Sequence, residues 1–426
     1  MLSDIDYLLR RDSQFSEFKP DTAEDDENRR LLAEECRILV IGAGGLGCEL
    51  LKNLALSGFK MIEVIDMDVV DVSNLNRQFL FRQEDIGQPK AIVAADFVNS
   101  RMKDVRIVPH FKDITEMSLD FYQQFNLIIA GLDSIKARRW INSVLIGITE
   151  KGEDGEWDPS TIIPLIDGGT EGFKGQVRVI IPRLTSCIEC SIDLYPIDPL
   201  NFPICTLTER PRQPEHCIQY VMLKWDSFEA WKGVKFDKDN SEHMAWVYKM
   251  AKERAQQFGI SGVTLKLTQG VIKRIIPAVA STNAIIAASC VNEAFKFATH
   301  ASRYLNNYMS YNGLEGVYTN VFEYKKKATC PVCGSEPIRM KVDPLKTLDS
   351  FIQDLVADPS LHLSAPSLSA GNKPRKWLYI RGALEEKTAP NLSKPLRDLV
   401  EEGQTVYITD PNLAGELLIQ ILVTFK

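Results

Sequence analysis

Four cysteines stand in two identical spacings, Cys187-Ile188-Glu189-Cys190 and Cys330-Pro331-Val332-Cys333. Each C-x-x-C turn offers two thiolates, and two turns complete the closed four-sulfur shell of a structural zinc ion. Two unrelated pairs would leave the same letters, but a duplicated redox pair suits them less well than one four-ligand site. A second constellation is Gly42-Ala43-Gly44-Gly45-Leu46-Gly47. Glycines so spaced let the backbone turn tightly and approach a phosphate, which the N-terminus of a following helix favours. Asp66 follows at the end of an apolar run, where a carboxylate takes ribose hydroxyls. These two features alone fit an NAD-binding domain as well as any other nucleotide site.

The next residues carry more cationic charge than a dinucleotide needs. Arg77 and Lys90 would stabilise the charge that builds on pyrophosphate leaving a triphosphate. Asp133 offers the hard oxygen that magnesium requires. Taken singly, Arg77 and Lys90 could be surface charges and Asp133 a helix cap. Cys205, in Asn201-Phe202-Pro203-Ile204-Cys205-Thr206, is a lone cysteine, a residue type usually buried as a small hydrophobe. Cys217, in Pro214-Glu215-His216-Cys217, is the second candidate nucleophile, and His216 a structural residue more than a base. Cys36, Cys48 and Cys290 stand in apolar surroundings and read as core.

These residues need a scaffold, and the chain alternates apolar runs with helical periods. Arg37–Ile41, 61–66, 105–109, 126–130, 162–167 and 176–182 read as strands. Leu46–Leu56, 91–99 and 135–148 read as helices. Alternation of this kind implies a mostly parallel sheet with helices on both faces. Residues 1–36 read as an acid-rich lead-in, mobile or docked on a partner. From about residue 200 the alternation stops. Segment 205–269 is rich in Trp, Pro and charge, with a helix over 242–258, and reads as an inserted helical unit. A long helical region over 268–299 returns to the first core. Residues 340–426 show short strands around one helix at 392–400, the pattern of a small α+β domain.

Composition narrows the function. The 426 residues are 45% hydrophobic and 25% charged, with net charge −7. That balance is ordinary for a globular chain and argues against a nucleic-acid face. No run of about 18 apolar residues suggests a membrane span, and the first residues lack the basic-then-apolar order of a secretory signal. Nine cysteines without such a signal imply metal, nucleophile or core roles rather than disulfides.

Together, IGAGGLG, Asp66-Met67-Asp68, SNLNRQ at 73–78, Lys90 and GLDS at 131–134 resemble the activating enzymes of ubiquitin-like modifiers. Those enzymes share an adenylation domain with bacterial sulfur-carrier activators. The resemblance spans roughly 37–335 and implies a Rossmann-like α/β adenylation domain, at 37–204 and 270–335. It further implies a helical catalytic-cysteine insertion at 205–269 and a ubiquitin-like (β-grasp) domain at 340–426 that recruits the conjugating enzyme. It assigns the Gly42, Gly44, Gly45 and Gly47 loop and the Asp66–Asp68 segment to ATP. Within that site Asp66 meets the ribose, Asn74, Arg77, Gln78 and Lys90 the phosphates, and Asp133 the magnesium. Cys187, Cys190, Cys330 and Cys333 become the structural zinc site, and FPICT at 202–206 makes Cys205 the thioester nucleophile. The chain most resembles the catalytic subunit of the heterodimeric neddylation enzymes, with the SUMO branch second and an NAD oxidoreductase a distant third.

Family members that work as homodimers carry an N-terminal arginine motif. This chain has Arg10-Arg11 and Arg29-Arg30 but not that motif. The resemblance therefore implies a homologous regulatory subunit supplying an arginine in trans, and a place in the cytoplasm or nucleus. It also suggests that Arg178 repels the arginine near the tail of ubiquitin, a rejection by like charge.

Overall fold

Strand β1, Arg37–Ile41, has no exposed face. Ile38 and Val40 enter one apolar cluster, while Leu39 and Ile41 point the other way and are equally buried. A strand covered on both sides belongs inside a parallel sheet with helices on both faces. The computed structural model places it there. It describes residues 4–11, 19–22, 25–195, 207–237, 240–272, 278–361, 363–371, 375–382, 384–411, 413 and 417–426. The chain divides into two units, residues 1–192 with 278–426, and residues 193–277.

In the first unit β1 leads through the glycine loop into α1, Gly45–Leu56. Then come β2, Met61–Ile65, α2, Lys90–Arg101, and β3, Arg106–His110. Next are β4, Leu127–Ala130, α3, Ile135–Gly147, β5, Leu165–Glu171, and β6, Lys174–Ile180. Helix α7, Ala280–Thr299, returns to this core and is followed by β7, Tyr308–Asn312, and β8, Tyr318–Phe322. The eight strands lie in the order β3-β2-β1-β4-β5-β6-β7-β8. From β3 to β5 every pairing is parallel, and from β5 to β8 every pairing is antiparallel. The strand order reverses between β1 and β4. In open α/β sheets the crevice at that switch point, beyond the strand C-termini, is where ligands bind.

The described part of the lead-in packs onto this core. Leu9 and Leu32 are fully buried within it, and Asp21 accepts hydrogen bonds from the backbone of Asn28 and Arg29. Among the described residues no helix is long and apolar enough to cross a membrane.

The second unit holds α4, Pro214–Leu223, α5, Ser241–Gln257, and α6, Leu265–Ile272. They close around Cys217, Val221, Trp225, Val247 and Ala251. The single helical region expected over 268–299 is instead α6 and α7. The break is seen at Val279, whose extended backbone precedes the first turn of α7.

The C-terminal sheet has β9, Ile338–Val342, β10, Ser367–Ala370, β11, Lys376–Tyr379, β12, Thr405–Thr409, and β13, Ile419–Phe425. Its order is β11-β10-β12-β13-β9, with the first and last strands paired in parallel. The helix expected at 392–400 is absent. Pro395 leaves only short turns at Ala389–Asn391 and Leu396–Asp398. The longest helix among the described residues of this domain is α8, Leu348–Ala357. It is capped by Thr347 and buries Leu348, Phe351, Ile352 and Leu355 at helical spacing.

Glycine is obligatory at one point of the glycine loop. A Cβ on Gly47 would stand 1.9 Å from the Gly42 carbonyl oxygen. Gly47→Ala should therefore cost at least about 3 kcal/mol by thermal or denaturant unfolding. Gly270→Ala, in α6 with nothing near its Cβ, should stabilise by about 0.5 kcal/mol or more.

Candidate active site

The crevice at the switch point is lined by two loops pressed together. Gly42, at the end of β1, has φ +97°, and a Cβ there would come within 2.9 Å of the Gly131 carbonyl beyond β4. The first backbone N–H groups of α1 open into this space with no side-chain cap on Gly44. Those free donors, with the positive end of the helix dipole, are an anion site in waiting.

Asp66 ties the loop to the segment after β2. One carboxylate oxygen accepts the Ala43 N–H at 2.6 Å and the other accepts the Asp68 N–H at 2.7 Å. Burial pushes its pKa up, and the two backbone donors and Lys90 pull it partly back. Lys90 is 8% exposed at the first position of α2, and its Nζ lies 2.8 Å from Asp68. A lysine at the positive end of a helix is locally unfavourable. An anion in the crevice would relieve it.

Asn74 is buried, and its Oδ1 accepts the Asp71 N–H at 2.9 Å, closing a capping box with Asp71. Its carbonyl receives the N–H of Arg77 and of Gln78. Asn74 thus builds the turn that presents Arg77 and Gln78. Arg77 is half-buried and rests on the Ser73 carbonyl at 2.8 Å and on Asn76. Gln78 is 3% exposed, its Nε2 lies toward Gly44, and its Oε1 has no partner among the described residues. A buried carbonyl without a donor is costly unless a ligand supplies one.

Asp133 is exposed at the C-terminal end of β4, and the cap of α3 is the neighbouring Ser134. Its carboxylate is therefore not spent on capping. Beneath it Arg138 donates to the Leu132 carbonyl, to buried Asp167 and, at 2.8 Å, to the Gly168 carbonyl. This brace fixes the loop that carries Asp133 to β5. Arg138, Asp167, Thr170 and Asn283 line the site but lie outside every short motif. Only the fold brings them in.

The four knuckle cysteines converge. All are buried, with Sγ–Sγ distances of 4.0 Å for Cys187–Cys190, 3.7 Å for Cys187–Cys330 and 3.4 Å for Cys190–Cys333. Four sulfurs about 2.3 Å from one metal stand about 3.8 Å apart, so the cluster fits zinc. None of the four forms a disulfide. Burial pushes the Cys187 thiol well up, while the neighbouring thiols draw Cys190 down. The first knuckle is anchored to α3 by a buried, two-pronged ion pair, Arg139 to Glu189 at 2.5 and 2.7 Å.

The remaining described cysteines are core. Burial raises Cys36 and Cys48 to about 12 and raises Cys290 further. Cys217 is fully buried, and burial raises its pKa too. The buried thiols are poor nucleophiles, since the thiolate is the reactive form. His216 accepts the Arg212 N–H through Nδ1, a loop-holding contact. Cys205 lies outside the described residues. The chain just after it is held by Arg254, whose Nη2 donates to the carbonyls of Leu207 and Thr208 at 2.7 and 2.8 Å. Arg178 is a buried strand residue, bonded to Ser191 Oγ at 2.5 Å and lying over the Tyr308 ring.

Two outcomes are expected. Nucleotide affinity should fall on acidification, starting above the ordinary carboxylate range, because Asp66 must be ionised to accept hydroxyls and its pKa is raised. Calorimetric titration against pH checks this, and Asp66→Asn should flatten that limb. Prolonged chelation, or Cys330→Ser, should lower the melting temperature and release one zinc per chain, read by metal analysis.

Residues 17–332 match the ThiF family, and residues 341–423 match an E2 binding domain. A NEDD8-activating enzyme E1 catalytic subunit from Dictyostelium discoideum is 50% identical over 99% of this chain and 96% of its own length. The Drosophila melanogaster protein of that name is 47% identical over 97% and 93%. A SUMO-activating enzyme subunit 2 from Dictyostelium discoideum is 42% identical, but over only 45% of this chain and 27% of its own. The chain belongs to the ThiF family and, within it, to the NEDD8-activating enzyme E1 catalytic subunits.

Proposed function

We propose that this chain activates a NEDD8-type modifier by adenylating its C-terminal glycine, captures the acyl group on Cys205, and passes it to a conjugating enzyme. The observation that carries this reading is the switch-point crevice. There an uncapped helix N-terminus, with the stem of half-buried Arg77 beside Gly45, meets buried Lys90 and the carboxylate Asp66, which is fixed on the Ala43 N–H.

The modifier's terminal carboxylate attacks the α-phosphorus of ATP, and the bond to pyrophosphate breaks. Arg77 and Lys90 stabilise the charge that accumulates on the leaving group, and the N–H groups of the glycine loop hold the chain of phosphates in line. Asp133 would hold magnesium, which supplies further neutralisation of that charge when bound. Asp66 holds the ribose. The Cys205 thiolate then attacks the acyl carbonyl and AMP departs, which is covalent catalysis with an intrinsically strong nucleophile. Residues 37–204 with 270–335 serve adenylation, 205–269 carry the cysteine, and 340–426 receive the conjugating enzyme. Zinc on Cys187, Cys190, Cys330 and Cys333 clamps the return segment to the core. A homologous regulatory subunit supplies an arginine in trans, and the pair works in the cytoplasm or nucleus. Arg178, held by Ser191 and Tyr308, is a fixed positive charge suited to rejecting an arginine-bearing tail.

The test combines the chain and its partner subunit with ATP, magnesium and either NEDD8 or SUMO. A thiol-reducible adduct should form with NEDD8, vanish in Cys205→Ala, and persist without onward transfer when 340–426 is deleted. An adduct that survives Cys205→Ala, or forms with SUMO alone, refutes the assignment.

A further inference from the structure

Asn283 stands in the first turn of α7 and is 3% exposed. Its Oδ1 receives the Thr170 hydroxyl at 2.7 Å, which fixes the plane of the amide. The nitrogen therefore faces the opposite way, toward the glycine loop. A Cβ built on Gly45 would lie 2.4 Å from this Nδ2 and 3.7 Å from Arg77 Cγ. The two amide hydrogens thus sit over the first residue of α1, between the loop and the stem of Arg77. Among the described residues they have no hydrogen-bond acceptor. The side chain is buried, but its Nδ2 is not sealed off from solvent; it opens on the crevice, where a ligand or water can take up its hydrogens. Here they are aimed at the N-terminus of a 12-residue helix whose own first N–H groups are uncapped.

We infer that Asn283 donates a hydrogen bond to the nucleoside triphosphate phosphate seated on the glycine loop, an inference that rests on the adenylation reading above. Thr170 is the positioning residue. It sits near the end of β5 and turns the amide so that nitrogen, not oxygen, meets the anion. The helix N-terminus and Arg77 bring positive potential, and the amide adds a neutral donor already held in place. Glycine at position 45 suits this arrangement, because a side chain there would have to displace the amide. A short-motif reading cannot find this residue, since Asn283 and the loop meet only when α7 returns to the core.

The experiment measures ATP–pyrophosphate exchange and the KM for ATP with the full chain and its partner subunit, alongside melting temperatures. Asn283→Asp keeps the shape and the acceptor for Thr170 but sets a negative charge against the phosphates. It should raise the KM for ATP by roughly 100-fold, Asn283→Ala by roughly tenfold, and Thr170→Val by a few-fold. Melting temperatures without nucleotide should stay near that of the wild type. A packing role alone would lower the melting temperatures and leave the KM of the folded protein unchanged, which overturns the inference. So would an Asn283→Asp enzyme within twofold of wild type. If Asn283→Asp does not fold, Thr170→Val decides: a raised KM supports the inference and an unchanged KM ends it. Absence of ATP-dependent exchange in the wild-type pair would instead refute the adenylation reading itself.

Discussion

The contact between the Gly42 carbonyl oxygen and the backbone at Gly47 is the constraint from which the site follows. With 1.9 Å between that oxygen and the place of a Cβ, only glycine lets the chain leave β1 and enter α1 in so short a turn. The tight turn points the helix N-terminus at the switch point rather than at solvent. It also carries the Ala43 N–H to Asp66, which couples the loop to the segment after β2. Loosen the turn, and the uncapped helix N-terminus and the Asp66 carboxylate no longer face one crevice.

Around that turn the charges are arranged against the interest of the empty protein. Lys90 lies at the positive end of α2, and Gln78 buries an unpartnered carbonyl. Asp68 offsets Lys90 in part, but its side chain is half-exposed, and a pair open to water contributes little. Such strain is found where binding is to be favoured, because an arriving anion relieves it. The rigid parts lie beneath. Arg138 with Asp167, and Arg139 with Glu189, are buried pairs that lock the ends of β4, β5 and the first cysteine knuckle. Rigidity below and unmet polar groups above suit a site that positions its substrates rather than folds around them.

Much of this was legible in the residues. The glycine loop, Asp66 and Lys90 are close in sequence, so local spacing implies their proximity, and the parallel strands announce themselves as apolar runs. The zinc cysteines could be paired across the insertion because metal ligation leaves a strict spacing. What escaped is non-local or carried by weak periods. Asn283 and Thr170 meet only through the return of α7. Helix α8 is the exception: Leu348, Phe351, Ile352 and Leu355 keep a clear helical period, and the helix read instead at 392–400 fails because Pro395 cannot continue one. The edge strand β8 has too little alternation to read, since every one of its residues is exposed.

The division of labour between two units has a thermodynamic logic visible in the cysteines. The chain has nine, and the eight described are all buried. Four are committed to one metal-like cluster, and burial pushes up the thiols of Cys36, Cys48, Cys290 and Cys217. A deep, apolar core suppresses thiolate, so a reactive thiol cannot share the interior that holds the sheet together. A thiol that is to react belongs outside that interior. Just beyond Cys205, Arg254 grips the successive carbonyls of Leu207 and Thr208 while its guanidinium lies 3.4 Å over the Tyr220 ring. Backbone carbonyls are sufficient handles, because they restrain the chain without engaging its side chains.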